Sequence, residues 1–218
     1  MHSVLKNINS KYYNKDQHYY ICSYGGCGSK ILVQYLSNFG NAYHIHSKIP
    51  PKKLTYIGTI NSNKNTYIEW FNDTEIKPEL LENYKVIFLY KHPVKAIYSR
   101  FIIPEHLKNI QCNTNIKIKD VIDQVKDLYG INTFFYNYTI PVHPKLEQRN
   151  YKIYCVKYED FFDNILYFNQ TLELPNDTTL YPIKKETERK MDNEYYILEN
   201  IYHKLLYKMN NMHFITIV

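Results

Sequence analysis

Residues 19–32 read Tyr19-Tyr20-Ile21-Cys22-Ser23-Tyr24-Gly25-Gly26-Cys27-Gly28-Ser29-Lys30-Ile31-Leu32. The apolar run Tyr19 to Cys22 is short and stops at Gly25. A run of that length bounded by glycine suits a strand buried on both faces of a parallel sheet. Beyond the glycines, Ile31, Leu32, Tyr35, Leu36 and Phe39 recur at helical spacing, and Gly40 follows as a C-cap. The stretch therefore predicts strand, glycine loop, helix.

Downstream, the same alternation repeats. A second strand is expected at Ala42 to His46, with irregular strands around Tyr56 and Tyr67 and a short helix over Pro78 to Asn83. The clearest buried strand is Val86-Ile87-Phe88-Leu89-Tyr90. It meets Lys91-His92-Pro93 and a helix carrying Ala96, Ile97 and Phe101, with Pro93 in the first turn, where its missing N–H costs nothing. Residues 119–128 read as an amphipathic helix and Tyr151 to Val156 as a strand. Tyr158-Glu159-Asp160 follows, with a helix from Phe161 and a long C-terminal helix over 185–210. Residues 1–16 are polar and read as a loose lead-in. Strands alternating with helices predict a single α/β domain, 1–218, with a parallel sheet and right-handed crossovers.

Composition narrows the field. At 218 residues, 44% hydrophobic and 22% charged, the chain suits one globular domain. Tyrosine is abundant at 24 residues. Together with frequent Asn, Ile and Lys this reads as the mark of an A/T-rich genome, as in a giant virus or a protist. The formal net charge of +6 suits an anionic ligand or plain solubility. Basic residues are scattered, so no nucleic-acid partner is expected. Cys22, Cys27, Cys112 and Cys155 form no C-x-x-C pair and no zinc spacing, so no metal is expected. The opening residues have no apolar signal core, and no apolar run is long enough to span a membrane, so a cytoplasmic setting is expected. The N-x-[ST] sequons at Asn72, Asn137, Asn169 and Asn176 are expected by chance in an Asn-rich chain.

Chemistry concentrates in the glycine loop. Glycines let backbone turn tightly and approach a ligand. The first N–H groups of the next helix have no intrahelical partner and favour an anion, helped by the helix dipole. Ser29 adds a hydroxyl and Lys30 a positive charge. The competing reading is a structural turn. The loop is not a Walker A motif, because Ser29 follows Gly28 where lysine is required.

Three anchors, in order, resemble the PAPS-dependent sulfotransferases, PAPS being 3′-phosphoadenosine 5′-phosphosulfate. The loop resembles the family's Tyr-Pro-Lys-Ser-Gly-Thr-Thr, with Tyr24, Gly28 and Ser29 keeping identity or chemistry. Val86 to Phe101 resembles the strand, Arg-Asn-Pro and serine of the family at Lys91, His92, Pro93 and Ser99. Val156 to Phe161 resembles its Tyr-Glu-Asp segment. The resemblance implies a three-layer, P-loop-like fold, a central parallel sheet flanked by helices. It implies PAPS as co-substrate and 3′,5′-adenosine bisphosphate as product. Tyr24, Gly25, Gly26, Cys27, Gly28, Ser29 and Lys30 would bind the 5′ end, and Lys91 and Ser99 the 3′-phosphate.

Two departures stand out. Gly26 falls where the family has its catalytic lysine, which leaves Lys30 as the replacement. The family's late glycine-containing basic motif is missing, and Lys184, Lys185, Arg189 and Lys190 are either its substitute or a solvated face. Tyr43-His44-Ile45-His46 alternates, so both histidines share one face. His46 is the candidate general base, followed by Ile49-Pro50-Pro51; Glu105 and His106 are alternatives. A small-molecule or glycan acceptor is expected, with small phenol, lipid and protein tyrosine also open, and oligomeric state stays open. The rival readings are a divergent P-loop kinase or nucleotide hydrolase, and a non-catalytic nucleotide- or glycan-binding relative.

Overall fold

The computed structural model describes residues 5–62, 65–101, 116–140, 149–184 and 191–218. Its elements are β1 (His18–Cys22), α1 (Ser29–Leu36), β2 (Asn41–Ile45), β3 (Thr55–Ser62), β4 (Asn65–Glu75), β5 (Tyr84–Tyr90) and α2 (Pro93–Phe101). They continue as α3 (Ile118–Gln124), α4 (Ile131–Thr139), β6 (Ile153–Lys157), α5 (Tyr158–Phe161), α6 (Ile165–Leu172), α7 (Asn193–Ile201), α8 (His203–Asn210) and β7 (Ile215–Ile217). Short 3₁₀ turns cover Pro78–Asn83 and Thr178–Leu180.

All seven strands join one sheet in the order β3-β4-β2-β1-β5-β6-β7. The inner five, β4, β2, β1, β5 and β6, run parallel. The rim strands β3 and β7 run antiparallel to their neighbours. The chain is therefore α/β around a mostly parallel centre, as the alternation of strands and helices requires.

Both faces of the central strands are covered, which explains their continuous apolar runs. Tyr20 and Cys22 pair in register with Val86 and Phe88, so they share a face. On that face Phe88 stacks on Tyr138 of α4 at 4.6 Å, and Phe134 and Phe135 lie beside it. Tyr20 meets Tyr43, Tyr84 and Trp70 edge-on at 5.4–5.5 Å. Aromatic pairs favour such offset and edge geometries. Tyr19 and Ile21 point the other way, toward α1, whose Tyr35 packs against Phe39, Phe161 and Phe168. The Tyr35 hydroxyl donates to Asn169 Oδ1 at 2.8 Å, so a buried tyrosine is satisfied inside an apolar layer.

Several elements differ from the sequence expectations. α4 falls in a stretch for which the sequence reading assigned no element. Its start is capped locally: Asp127 Oδ1 and Oδ2 accept from the Ile131 and Asn132 N–H groups at 3.0 and 2.9 Å, and Gly130 adopts a φ of 67°. The expected C-terminal helix is two helices, α7 and α8, joined at Tyr202; residues 185–190 lie outside the described residues. The lead-in is tied down rather than loose over residues 5–16. Leu5 and Ala42 exchange backbone hydrogen bonds at 3.0 Å, and the Tyr13 hydroxyl donates to Asn41. Among the described residues no helix is long and apolar enough to cross a membrane.

Phe88 is 1% exposed at the centre of the ring cluster, whereas Tyr207 on α8 is 74% exposed. Phe88→Ala is expected to cost about 3–5 kcal/mol in urea unfolding. Tyr207→Ala is expected to change stability by less than about 0.5 kcal/mol.

Candidate functional site

Strand order locates the crevice. The chain leaves β1 through α1 to β2 on one side, and later returns to β5 on the other side of β1. The order reverses between β1 and β5. In open α/β sheets such a switch point, outside the carboxyl ends of the strands, is where ligands bind. The glycine loop leaves β1 here, and Lys91, His92 and α2 leave β5 here.

The loop is a left-handed backbone run. Gly25, Gly26 and Gly28 have φ of 100°, 65° and 79°. Each also lies against a neighbour that a side chain would strike. A Cβ on Gly25 would meet the Arg100 guanidinium, one on Gly26 would lie 2.7 Å from Ser99 Cβ, and one on Gly28 would enter the Tyr158 ring. These glycines are thus required by conformation and by close approach together. Gly28 caps α1 without a side-chain cap, and the first turn of α1 carries no acidic residue. Ser29 is buried there and Lys30 is exposed.

Positive charge gathers around this backbone. Arg100 is 0% exposed, and its guanidinium lies 5.0 Å from the centre of the Tyr24 ring. Lys91 Nζ lies 5.1 Å from the centre of the Tyr158 ring, the ring that covers Gly28. Cys27 sits between them. Burial pushes its thiol up to about 12, against the nearby charges of Lys91 and Arg100 and with that of Glu159. The thiol donates to Gly25 O at 3.2 Å, so Cys27 is a turn-bracing residue and not a nucleophile.

The Tyr158-Glu159-Asp160 segment braces the crevice. Glu159 Oε1 accepts from the His92 backbone N–H at 2.9 Å, tying the end of β6 to the end of β5. His92 Nε2 lies 3.1 Å from Glu199 Oε1. Burial, foremost, and the charge of Lys95 hold the His92 imidazole below its ordinary value, against the pull of Glu199.

His44 and His46 share one face, as the alternation predicts, with ring centroids 4.0 Å apart. His44 touches the loop: its Nε2 lies 3.1 Å from Ser23 Oγ. His46 is 5% exposed.

The structure therefore brings together Tyr24 to Lys30, Lys91 and Ser99, and sets His44 and His46 at the adjoining strand end. Arg100 is the contributor that the sequence reading passed over, and Tyr158, read there as part of a structural segment, covers Gly28. Pro93, Ala96, Ile97 and Arg100 recur at helical spacing, so a basic residue on the buried stripe of α2 was the available signal. Lys184 is exposed. Glu105, His106, Cys112, Lys185, Arg189 and Lys190 lie outside the described residues. Among the described residues no group of three or more His, Cys, Asp or Glu side chains is placed to hold a metal ion.

No protein-family model matches the chain, and no curated protein or solved structure matches it.

Proposed function

We propose that the chain is a P-loop-like sulfotransferase. It transfers a sulfuryl group from PAPS to the hydroxyl or amine of a small-molecule or glycan acceptor. The observation that supports this reading is the meeting of a glycine loop, Lys91, Ser99 and Arg100 at the sheet's switch point. Backbone amides at a helix start, two cations and two hydroxyls form a donor set suited to phosphate and sulfate oxygens.

On this reading Ser29, Lys30 and the first amides of α1 hold the 5′ end of the nucleotide. Lys91 and Ser99 hold its 3′-phosphate, and Arg100 adds charge between them. A bond forms from the acceptor oxygen or nitrogen to sulfur as the bond from sulfur to the 5′-phosphate oxygen breaks. 3′,5′-Adenosine bisphosphate departs, and the acceptor's proton goes to His46. Catalysis is then positioning and electrostatic stabilisation by fixed donors, as in phosphoryl transfer.

A second reading, binding without turnover, is favoured by two observations. Gly26, at the position of the family's lysine, lies against Ser99, and His46 is almost fully buried. A transfer assay with labelled PAPS and pooled glycan and phenolic acceptors separates the two.

In a thermal-shift comparison, 3′,5′-adenosine bisphosphate at a hundred times Kd is expected to stabilise the protein by about 2.7 kcal/mol. ATP with magnesium is expected to give a much smaller shift; an equal or larger shift would favour the kinase alternative. Ser99→Ala keeps the Cβ that packs on Gly26, and is expected to weaken the bisphosphate about tenfold. It should leave adenosine 5′-phosphosulfate, which has no 3′-phosphate, unchanged. Lys30→Ala is expected to lower turnover about 100-fold while nucleotide binding persists. Unchanged turnover would remove Lys30 from the mechanism.

A further inference from the structure

Between β5 and α2, His92 stands as the N-cap of the helix. Its carbonyl accepts the first helical bond, from the Ala96 N–H at 2.9 Å. The first N–H groups of a helix have no partner within it. Here the His92 N–H is taken by Glu159 Oε1 at 2.9 Å, and Pro93 has none. The Lys95 N–H donates to the His92 ring itself, at Nδ1, over a long 3.5 Å. Accepting from the third residue of a helix is the usual task of Ser, Thr, Asp or Asn. In α2 the acceptor is a side chain that titrates near neutrality.

The bond from Lys95 fixes the ring's tautomer. Nδ1 accepts, so the neutral ring carries its hydrogen on Nε2, which donates to Glu199 Oε1 of α7 at 3.1 Å. A protonated ring has a hydrogen on both nitrogens. Nδ1 would then present an N–H to the Lys95 N–H, and a positive charge would sit at the start of a nine-residue helix, where the dipole disfavours it. The charges around the ring come from three elements. Lys95 of α2 opposes a proton, whereas Glu199 of α7 and Glu159 of α5 attract one. Tyr195 of α7 stacks on the ring at 6.0 Å. Lys157, at the same end of the sheet, is paired with Asp160 at 3.3 Å, and α8 lines this end with Leu206, Met209 and Asn210, none of them charged. Burial, with Lys95, outweighs the two carboxylates and holds the ring below its ordinary value of 6.5. The side chain is 20% exposed, so a proton from solvent can reach it.

The helix so capped carries Ser99 and Arg100, the side chains that press on Gly26 and Gly25. We propose that His92 is an acid-released cap: the neutral ring holds the first turn of α2, and protonation frees that turn and slackens the contact of Ser99 and Arg100 with the glycine loop. The neutral ring contributes stability above about pH 6.5, and that contribution is lost as pH falls through the lower value of the folded state. The device is independent of the nucleotide reading, because it rests on the packing of α2 alone.

An NMR titration of the full chain from about pH 8 to about pH 5 tests the proposal, with His92→Asn as reference. Asn is a strong N-cap that does not titrate. The Lys95 amide proton is expected to shift upfield with the midpoint of the His92 ring, and the Gly25 and Gly26 amides to show a step at the same midpoint. His92→Asn is expected to lose that step. Glu199→Gln removes an attraction for the proton, and is expected to move the ring, Lys95 and glycine midpoints to lower pH together. A glycine response that came from His44, beside Ser23, would stay in place. In urea unfolding, the folded-to-unfolded ratio of the wild type is expected to fall about fivefold relative to His92→Asn across this range. Should His92→Asn fail to fold, the wild-type titration and Glu199→Gln decide. A ring that stays neutral throughout, a ring that titrates without the Lys95 amide, glycine amides that do not share its midpoint, or equal pH dependence of stability in the two proteins would overturn the proposal.

Discussion

The Arg100 guanidinium seated in the hollow of Gly25 sets the distance between α2 and the loop after β1. A buried guanidinium requires compensation, and the Tyr24 ring beneath it supplies part through its π face. To admit Arg100 the loop must have no Cβ at residue 25, and a φ of 100° suits glycine. Ser99, the preceding residue of α2, then lies against Gly26. Tyr158 closes on Gly28 from the end of β6. Two elements converge on the turn that leaves β1: α2 presses Arg100 and Ser99 against Gly25 and Gly26, and α5 presses Tyr158 against Gly28.

That convergence gives the crevice its chemistry. Charge is built into the α2 face of the loop by Arg100, and into the β5 side by Lys91. The bond from Glu159 to the His92 N–H keeps the ends of β5 and β6 level. On the proposed reading an anion would meet donors held in place before it binds, which is how a fixed site favours charge without reorganisation. The same packing accounts for the glycines structurally, so their presence alone does not separate a catalytic loop from a binding loop.

How much of this was legible depends on whether the cause was local. The strand, loop and helix at residues 18–36 could be read because Tyr19 to Cys22 and Ile31 to Leu36 carry their periodicity within themselves. The strand Val86 to Tyr90 and the following α2 could be read for the same reason. α4 could not, because its burial is fixed by Phe88, a residue more than forty positions away, although the Asp127 carboxylate that caps its first turn is local. Gly25, Gly26 and Gly28 were visible as a loop, but the groups that fill them come from α2 and α5. Arg100 went unnoticed since a basic residue in a helix reads as solvated until its face is known. The pairing of His44 with His46 followed from strand alternation, whereas the contact of His44 with Ser23 depends on β1 and β2 being neighbours.

The three-residue β7 has an importance out of proportion to its length. Val218 and Ile153 exchange backbone hydrogen bonds at 2.9 and 3.1 Å, and Lys157 donates to Phe214 O, so the last five residues occupy most of the outer row of β6. A parallel strand with an open row is a template for another chain. β7 runs against the grain and replaces a five-residue parallel edge with a three-residue antiparallel one, and short edge strands template poorly. Removing residues 214–218 would strip Phe214, Ile215 and Val218 from the core and bare the longer, parallel row of β6 as the edge.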